Sequence, residues 1–114
     1  MVVDLHPAQA DLVFHALADA TRRDILTVAL AGEQSVSALA RRYPISLPAV
    51  QKHVTVLERA GLVTKHRHGR EQLVRVEIDT LDRARRLLDE LEAVWRERVG
   101  RIDAILSTNE GAPK

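Results

Sequence analysis

A mainly α-helical domain carrying one small β-hairpin is what this sequence predicts, on three observations. Apolar residues recur at helical spacing through most of the first 60 positions. The period then switches to strict alternation at Val74, Val76 and Ile78, with Arg75 and Glu77 between them. From Leu81 onward it returns to steps of three and four, sustained to Leu106.

The first helix follows Pro7, which suits a first turn. Its stripe is Ala10, Val13, Phe14 and Leu17. Asp19 is placed to cap a second helix with Arg22, Ile25, Leu26, Ala29 and Leu30 on one side, ended by Gly32. Ser35 caps a short third helix whose inward residues are Val36, Leu39, Ala40 and Tyr43, and Pro44 stops it. Ser46 caps the fourth, with Pro48 in its first turn, where a missing N–H costs nothing. The fourth helix buries Val50, His53, Val54 and Leu57 and closes at Gly61. Two helices joined so tightly cross steeply, as in a helix-turn-helix.

Leu62 to His66 is the expected partner of the alternating strand, with the turn Arg67-His68-Gly69-Arg70 between them. Asp79 caps the last helix, 79–106, with Leu81, Ala84, Leu88, Leu91, Trp95, Val99, Ile102 and Leu106 on one seam. That seam exceeds three heptads, more than a small domain covers by itself. Gly100 interrupts it at a cost of ~1 kcal/mol relative to Ala. The order of elements is that of a winged helix-turn-helix with added terminal helices. It predicts one domain over 1–106 and a flexible tail over 107–114.

Composition narrows the function. The 114 residues carry 17 Lys and Arg against 16 Asp and Glu, so the net charge of +1 says nothing about an anionic partner. Its distribution does: eight cations between Arg41 and Arg75 face only Glu58 and Glu71. The absence of cysteine excludes disulfides and thiolate metal sites. No apolar run approaches the ~20 residues of a membrane span, and the N-terminus lacks the pattern of a signal peptide. A cytoplasmic protein is expected. No Gly-rich phosphate loop or Ser-His-acid signature is present, and an enzyme is not predicted.

The outer face of the fourth helix is the candidate DNA reader: Ser46, Leu47, Pro48, Ala49, Gln51, Lys52 and Thr55. The N-terminal part of the second helix of such a motif reaches base edges. Gln pairs with adenine, Lys donates to guanine, and apolar groups touch thymine methyls. The bland alternative is a merely solvated face. The tight turn and the basic hairpin that flank it favour the reader, with Gln51 and Lys52 foremost. Arg67, His68 and Arg70 at the hairpin tip, and Arg41 and Arg42 at the end of the third helix, suit phosphates. A solubilising tip is the competing reading.

The stretches ALADATRRDIL (16–26), ISLPAVQKHVTVLERAGLV (45–63) and KHRHGREQLVRV (65–76) resemble the ArsR family of bacterial transcriptional regulators. The match runs in register from Phe14 to Ile78, and the long last helix is similar in kind. The resemblance implies a homodimer on an inverted-repeat operator in double-stranded DNA, usually a repressor near its own promoter. It also implies a dimer interface from the first and last helices: here Val13, Phe14 and Leu17 with Leu88, Leu91, Trp95, Val99, Ile102 and Leu106. Ala20 stands where the family often has Pro. The Cys motif of its metal sensors is absent, and the helix from Leu81 to Leu106 has no His. Metal sensing is therefore not carried over. The PAVQKHVTVLERAGLV version (48–63), with Trp95 in the last helix, looks more like a subgroup without known metal sites, often associated with genes for START-like proteins. No cofactor or metal site is expected, and no small-molecule or metal effector is evident. His53 falls on a buried stripe, and His6, His15, His66 and His68 lack standard ligand spacing. The competing readings are a winged-helix module that binds protein without an operator, and a metal-responsive sensor.

Overall fold

The computed structural model describes residues 5–110, with side chains placed through residue 107. Five helices and three strands follow in the order α1 (Pro7–Leu17), α2 (Ala20–Ala31), β1 (Gln34–Ser35), α3 (Val36–Ala40), α4 (Leu47–Arg59), β2 (Val63–His68), β3 (Glu71–Val76) and α5 (Ile78–Glu110). The chain is a winged helix-turn-helix, mainly α with a small sheet.

Local chemistry explains the boundaries. The Asp19 carboxylate accepts from the Arg22 N–H at 3.1 Å, opening α2. Ser35 Oγ accepts from Ala38 N at 3.0 Å and Ser46 Oγ from Ala49 N at 3.2 Å, opening α3 and α4. These satisfy N–H groups that a helix start leaves unpaired. His6, not foreseen as a cap, does the same for α1 through Nδ1, at 3.1 Å from Ala8 N. At the far end of α4, Gly61 N donates to Glu58 O and Leu62 N to Leu57 O, with Gly61 at φ +79°. This is a Schellman ending, and the left-handed residue favours glycine.

The core gathers Val13 and Ala16 of α1, Ile25 and Leu26 of α2, and Leu39 of α3 around Val50, Val54 and Leu57 of α4. Leu62, Val63 and Val74 of the hairpin close one side and Ala84 of α5 another. The stripe foreseen for α1 is displaced accordingly. Val13 is fully buried inside its own protomer and has no surface left for a partner, which removes it from the expected dimer contacts. Leu17 and Phe14 are half-buried, while Leu12 is exposed. Leu30, expected on the inner side of α2, also faces solvent.

The sheet differs from a bare hairpin. Its order is β1-β3-β2, all antiparallel, with Gln34 opposite Val74 and Ser35 opposite Leu73. Strand β2 continues to His68, so the turn shrinks to Gly69 and Arg70. Gly69 has φ +64° and Arg70 does not share the left-handed region. Positive φ at the first central residue alone fits a type II′ turn. The alternation through Ile78 overran the strand: β3 stops at Val76, and Ile78 starts α5 with 59% exposure. Asp79 thus sits in the first turn of α5 rather than before it. Helix α3 ends at Ala40, and six residues, 41–46, turn the chain into α4. Helix α5 continues past Leu106 to Glu110 and takes in 107–110, expected as tail. Residues 111–114 of that expected tail lie outside the described residues.

Candidate nucleic-acid interface

Helix α4 is amphipathic about a sharp boundary. Val50, Val54 and Leu57 are fully buried. Leu47, Pro48, Gln51, Lys52 and Arg59 are exposed, and Ala49 and Thr55 half-buried. Pro48, Gln51, Lys52, Thr55, Val56 and Arg59 line a shallow groove along that outer side. Not every polar group there is available. The Thr55 hydroxyl donates back to the Gln51 carbonyl at 2.9 Å. The Ser46 oxygen accepts at the cap, which leaves its O–H to donate outward. Gln51, Lys52 and Leu47 present uncommitted side chains, one amide, one cation and one apolar group, over two turns.

The core holds the inner side of α4, and Arg22, whose side chain is only 11% exposed, adds a long-range contact to it. Its Nε donates to Ala16 O at 2.8 Å and its NH2 group to His15 O at 3.1 Å, the latter shared with the Ala18 N–H, at the end of α1. Its NH1 group lies 3.2 Å from His53 Nδ1 on α4. A guanidinium has only donors, so that ring nitrogen accepts and His53 carries its proton on Nε2. Arg23 adds a bond to Leu17 O at 2.8 Å. The run Asp19 to Arg23 therefore caps α2 with its acid and α1 with its two arginines. The N–H of Arg22, more than the nearby cation, holds the Asp19 carboxyl below its ordinary range. Gln9 reaches Ala60 O at 3.4 Å across the C-terminus of α4. Tyr43 donates to Asp24 at 2.5 Å; burial first, and the Asp24 carboxylate second, push its hydroxyl up to about 12.

The hairpin sorts its residues by face. Val63 is buried, and strand alternation puts Lys65 and Arg67 on its side and Thr64, His66 and His68 on the other. His66 turns to Glu33 at 2.9 Å, and Glu33 also holds Arg75 at 3.1 Å. The expected tip trio is thus split: Arg67 shares the core side, His68 shares the His66 side, and Arg70 sits in the turn. Arg41 and Arg42 are exposed in the bend between α3 and α4. Among the described residues, no group of three or more His, Asp or Glu is arranged to hold a metal ion.

Two residues in this region were not anticipated. Lys65 and Gln72 join Gln51, Val36 and Val54 around a partly open cavity of about 150 Å³ between α4 and the hairpin. Lys65 also pairs with Glu58 of α4 at 3.3 Å. Alternation from Val63 points to Lys65, whereas Gln72 enters only through the strand register, opposite Arg67.

Helix α5 leaves the domain behind. At 33 residues it is about 50 Å long. Leu81 and Ala84 pack on the core, but Leu88, Leu91, Val94, Trp95, Ile102, Ile105 and Leu106 are exposed. No helix among the described residues is long and apolar enough to cross a membrane.

Residues 17–66 match a family of helix-turn-helix domains. Over 79 residues the chain is 38% identical to the HTH-type transcriptional regulator Rv2034 of Mycobacterium tuberculosis, covering 69% of this chain and 74% of that protein. Over 57 residues it is 35% identical to the transcriptional repressor SdpR of Bacillus subtilis, covering half of this chain and 63% of that one. Among solved structures, an ArsR-like transcriptional regulator from a Rhodococcus species superposes with a TM-score of 0.77 at 39% identity, over 86% of this chain and 92% of its own. The homodimeric winged helix-turn-helix DNA-binding domain Mb0332 of Mycobacterium bovis superposes with a TM-score of 0.59 at 28% identity, over 82% and 84%.

Proposed function

The chain belongs to the ArsR family of winged helix-turn-helix transcriptional regulators, and we propose that it acts in the cytoplasm as a homodimeric repressor on an inverted-repeat operator near its own promoter. The observation that carries this reading is the outer side of α4. Leu47, Gln51 and Lys52 project from a helix whose other side is immobilised by the core and by Arg22. In the proposal Gln51 and Lys52 read bases, with Ser46, Leu47, Pro48, Ala49 and Thr55 shaping the approach. Arg67, Arg70, Arg41, Arg42 and His68 contact phosphates. Residues 1–106 work as one unit.

A second copy is the occupant we assign to α5. The exposed seam mirrors itself: Leu88 with Leu106, Leu91 with Ile102, and Trp95 with Val99 are all centred on position 97 to within half a residue. An antiparallel two-fold pairing sets each member against its mate, the self-complementarity that an isologous interface requires. Half-buried Phe14 and Leu17 of α1 adjoin the interface. The assembly seen in the Mb0332 domain supports the same state. Two α4 helices then enter major grooves about one helical turn apart. No cofactor and no catalytic step enters this reading.

Fluorescence polarisation with duplex DNA from the protein's own promoter tests it. Preference over random DNA of ~10³ or more is expected. Gln51→Ala should change base preference, and Arg70→Ala should weaken binding to all sequences and lower its salt dependence. Equal, weak binding to promoter and random DNA, with no effect of Gln51→Ala, would refute the assignment.

A further inference from the structure

We infer that the cavity between α4 and the hairpin seats one phosphate of the DNA backbone, clamped by Lys65 and Gln72, and that Glu58 holds Lys65 in place until the DNA arrives. The inference rests on the DNA-binding reading and adds to it a pair of positioning residues and a restraint. The cavity, about 150 Å³, has the volume of several waters at roughly 30 Å³ each. A tetrahedral oxyanion fits with solvent to spare.

Its polar lining is suited to an anion. Lys65 contributes an ammonium, which only donates, and Gln72 a carboxamide N–H pair. Val36 and Val54 form the apolar wall. Beside such a wall the local dielectric is lower than in water, which strengthens attraction between Lys65 and an oxyanion. Gln51 also borders the cavity while projecting from the reading side of α4. A phosphate seated against Lys65 and Gln72 therefore sets how deep Gln51 enters the groove. The contact reads no sequence, but it positions the residue that does.

Glu58 is the counterpart. It lies two turns along α4 from Gln51, and its carboxylate is 3.3 Å from Lys65 Nζ. With the cavity empty, the carboxylate gives the ammonium a partner. With DNA present, the phosphate competes for the same cation and Glu58 opposes it by like charge. Removing Glu58 should thus strengthen binding through Lys65.

The test uses the full chain and a random-sequence duplex spanning about three helical turns, titrated by fluorescence anisotropy between about 50 and 200 mM salt. Lys65→Gln should lower the slope of log K against log salt by ~0.9 per phosphate lost, or ~1.8 for a dimer. Gln72→Ala should weaken binding with little change of slope, since it removes no charge. Glu58→Gln should tighten binding several-fold, and that gain should shrink when Lys65→Gln is also present. Circular dichroism melts establish that each variant is folded. Unchanged slope in Lys65→Gln, or equal gains from Glu58→Gln in both backgrounds, would overturn the inference. Inorganic phosphate at matched ionic strength should displace DNA better than chloride, an advantage lost in Lys65→Gln; no advantage over chloride with the wild-type chain would overturn the phosphate seat. If Arg70→Ala weakens binding and Lys65→Gln does not, this inference alone fails. If the wild-type chain shows no salt-dependent binding at all, the DNA-binding reading fails with it.

Discussion

Replacing Trp95 by Ala should separate the proposed protomers without unfolding either one. The indole is 61% exposed in the single chain, so most of its surface is available to a partner and little supports the core. An aromatic side chain buries ~150–250 Å², of which the exposed part is roughly 100–150 Å². At ~25 cal/mol per Å² that is about 3 kcal/mol for one indole. Two-fold symmetry counts it twice, and the remaining Ala retains a small share, leaving ~4–6 kcal/mol. The dimer dissociation constant should rise by three to four decades, at ~1.4 kcal/mol per decade. Sedimentation equilibrium measures that constant directly, and far-ultraviolet circular dichroism should show unchanged helix content. Operator affinity should fall in step, because each isolated half-site keeps only its own contacts. A dissociation constant within threefold of wild type would refute the seam as the interface. The arrangement has an independent check, since the chain has no cysteine of its own. In the antiparallel register, Leu88→Cys on one copy meets Leu106→Cys on the other. Equivalent positions then lie about 27 Å apart along the axis, at 1.5 Å per residue, beyond the ~4.4–6.8 Å between Cα atoms that a disulfide needs. A mixture of the two single variants should oxidise to a covalent dimer and neither variant alone should. Oxidation of Leu88→Cys by itself would mean a parallel pairing.

Three further outcomes follow from the contacts around α4. Arg22→Lys keeps the charge but loses the planar fork that reaches Ala16, His15 and His53; urea unfolding should show a loss of about 2 kcal/mol, and an unchanged midpoint would count against the capping role. Asp19→Asn keeps a capping oxygen, so its cost near neutral pH should be small. The Asp19 carboxyl is lowered below 3.8 when folded, so its charge stabilises above that value and stops doing so as pH falls through the folded one. The gap between wild type and variant should narrow as pH falls below the ordinary carboxylate range, and a gap that stays constant would refute the linkage. Gly61→Ala places a Cβ at φ +79°, 2.9 Å from Gln9 Nε2; a loss of ~1–2 kcal/mol is expected, and an equal or raised urea midpoint would contradict it.

Much of the fold is written in signals that act within one or two turns. Asp19, Ser35 and Ser46 were legible as caps because a side-chain oxygen meets a backbone N–H two or three residues on. Gly61 and Gly69 were legible because only glycine enters the left-handed region without strain. The seam of α5 was legible because helical spacing repeats over many turns. The same reasoning singled out the outer side of α4, since exposure there is the complement of its buried stripe.

The remaining features depend on which elements meet, and a local pattern does not encode that. Two residues have no period, so β1 becomes a strand only because β3 lies beside it. Alternation at Ile78 is a real pattern, yet the strand stops at Val76 and Glu77 N donates to Leu62 O as the chain enters α5. Val13 and Leu12 are adjacent apolar residues, and packing against the other helices decided which one is buried. The pairs that tune the candidate interface, Arg22 with His53 and His66 with Glu33, join positions more than 30 residues apart, and Lys65 reaches Glu58 across the turn from helix to strand. By itself the sequence determined the five helices, the hairpin, the caps at Asp19, Ser35 and Ser46 and the amphipathic sides of α4 and α5, because those arise from backbone hydrogen bonding and periodicity. Tertiary structure decided the partners, because a side chain's charge or hydrogen bond is satisfied by whatever packing brings within ~3 Å.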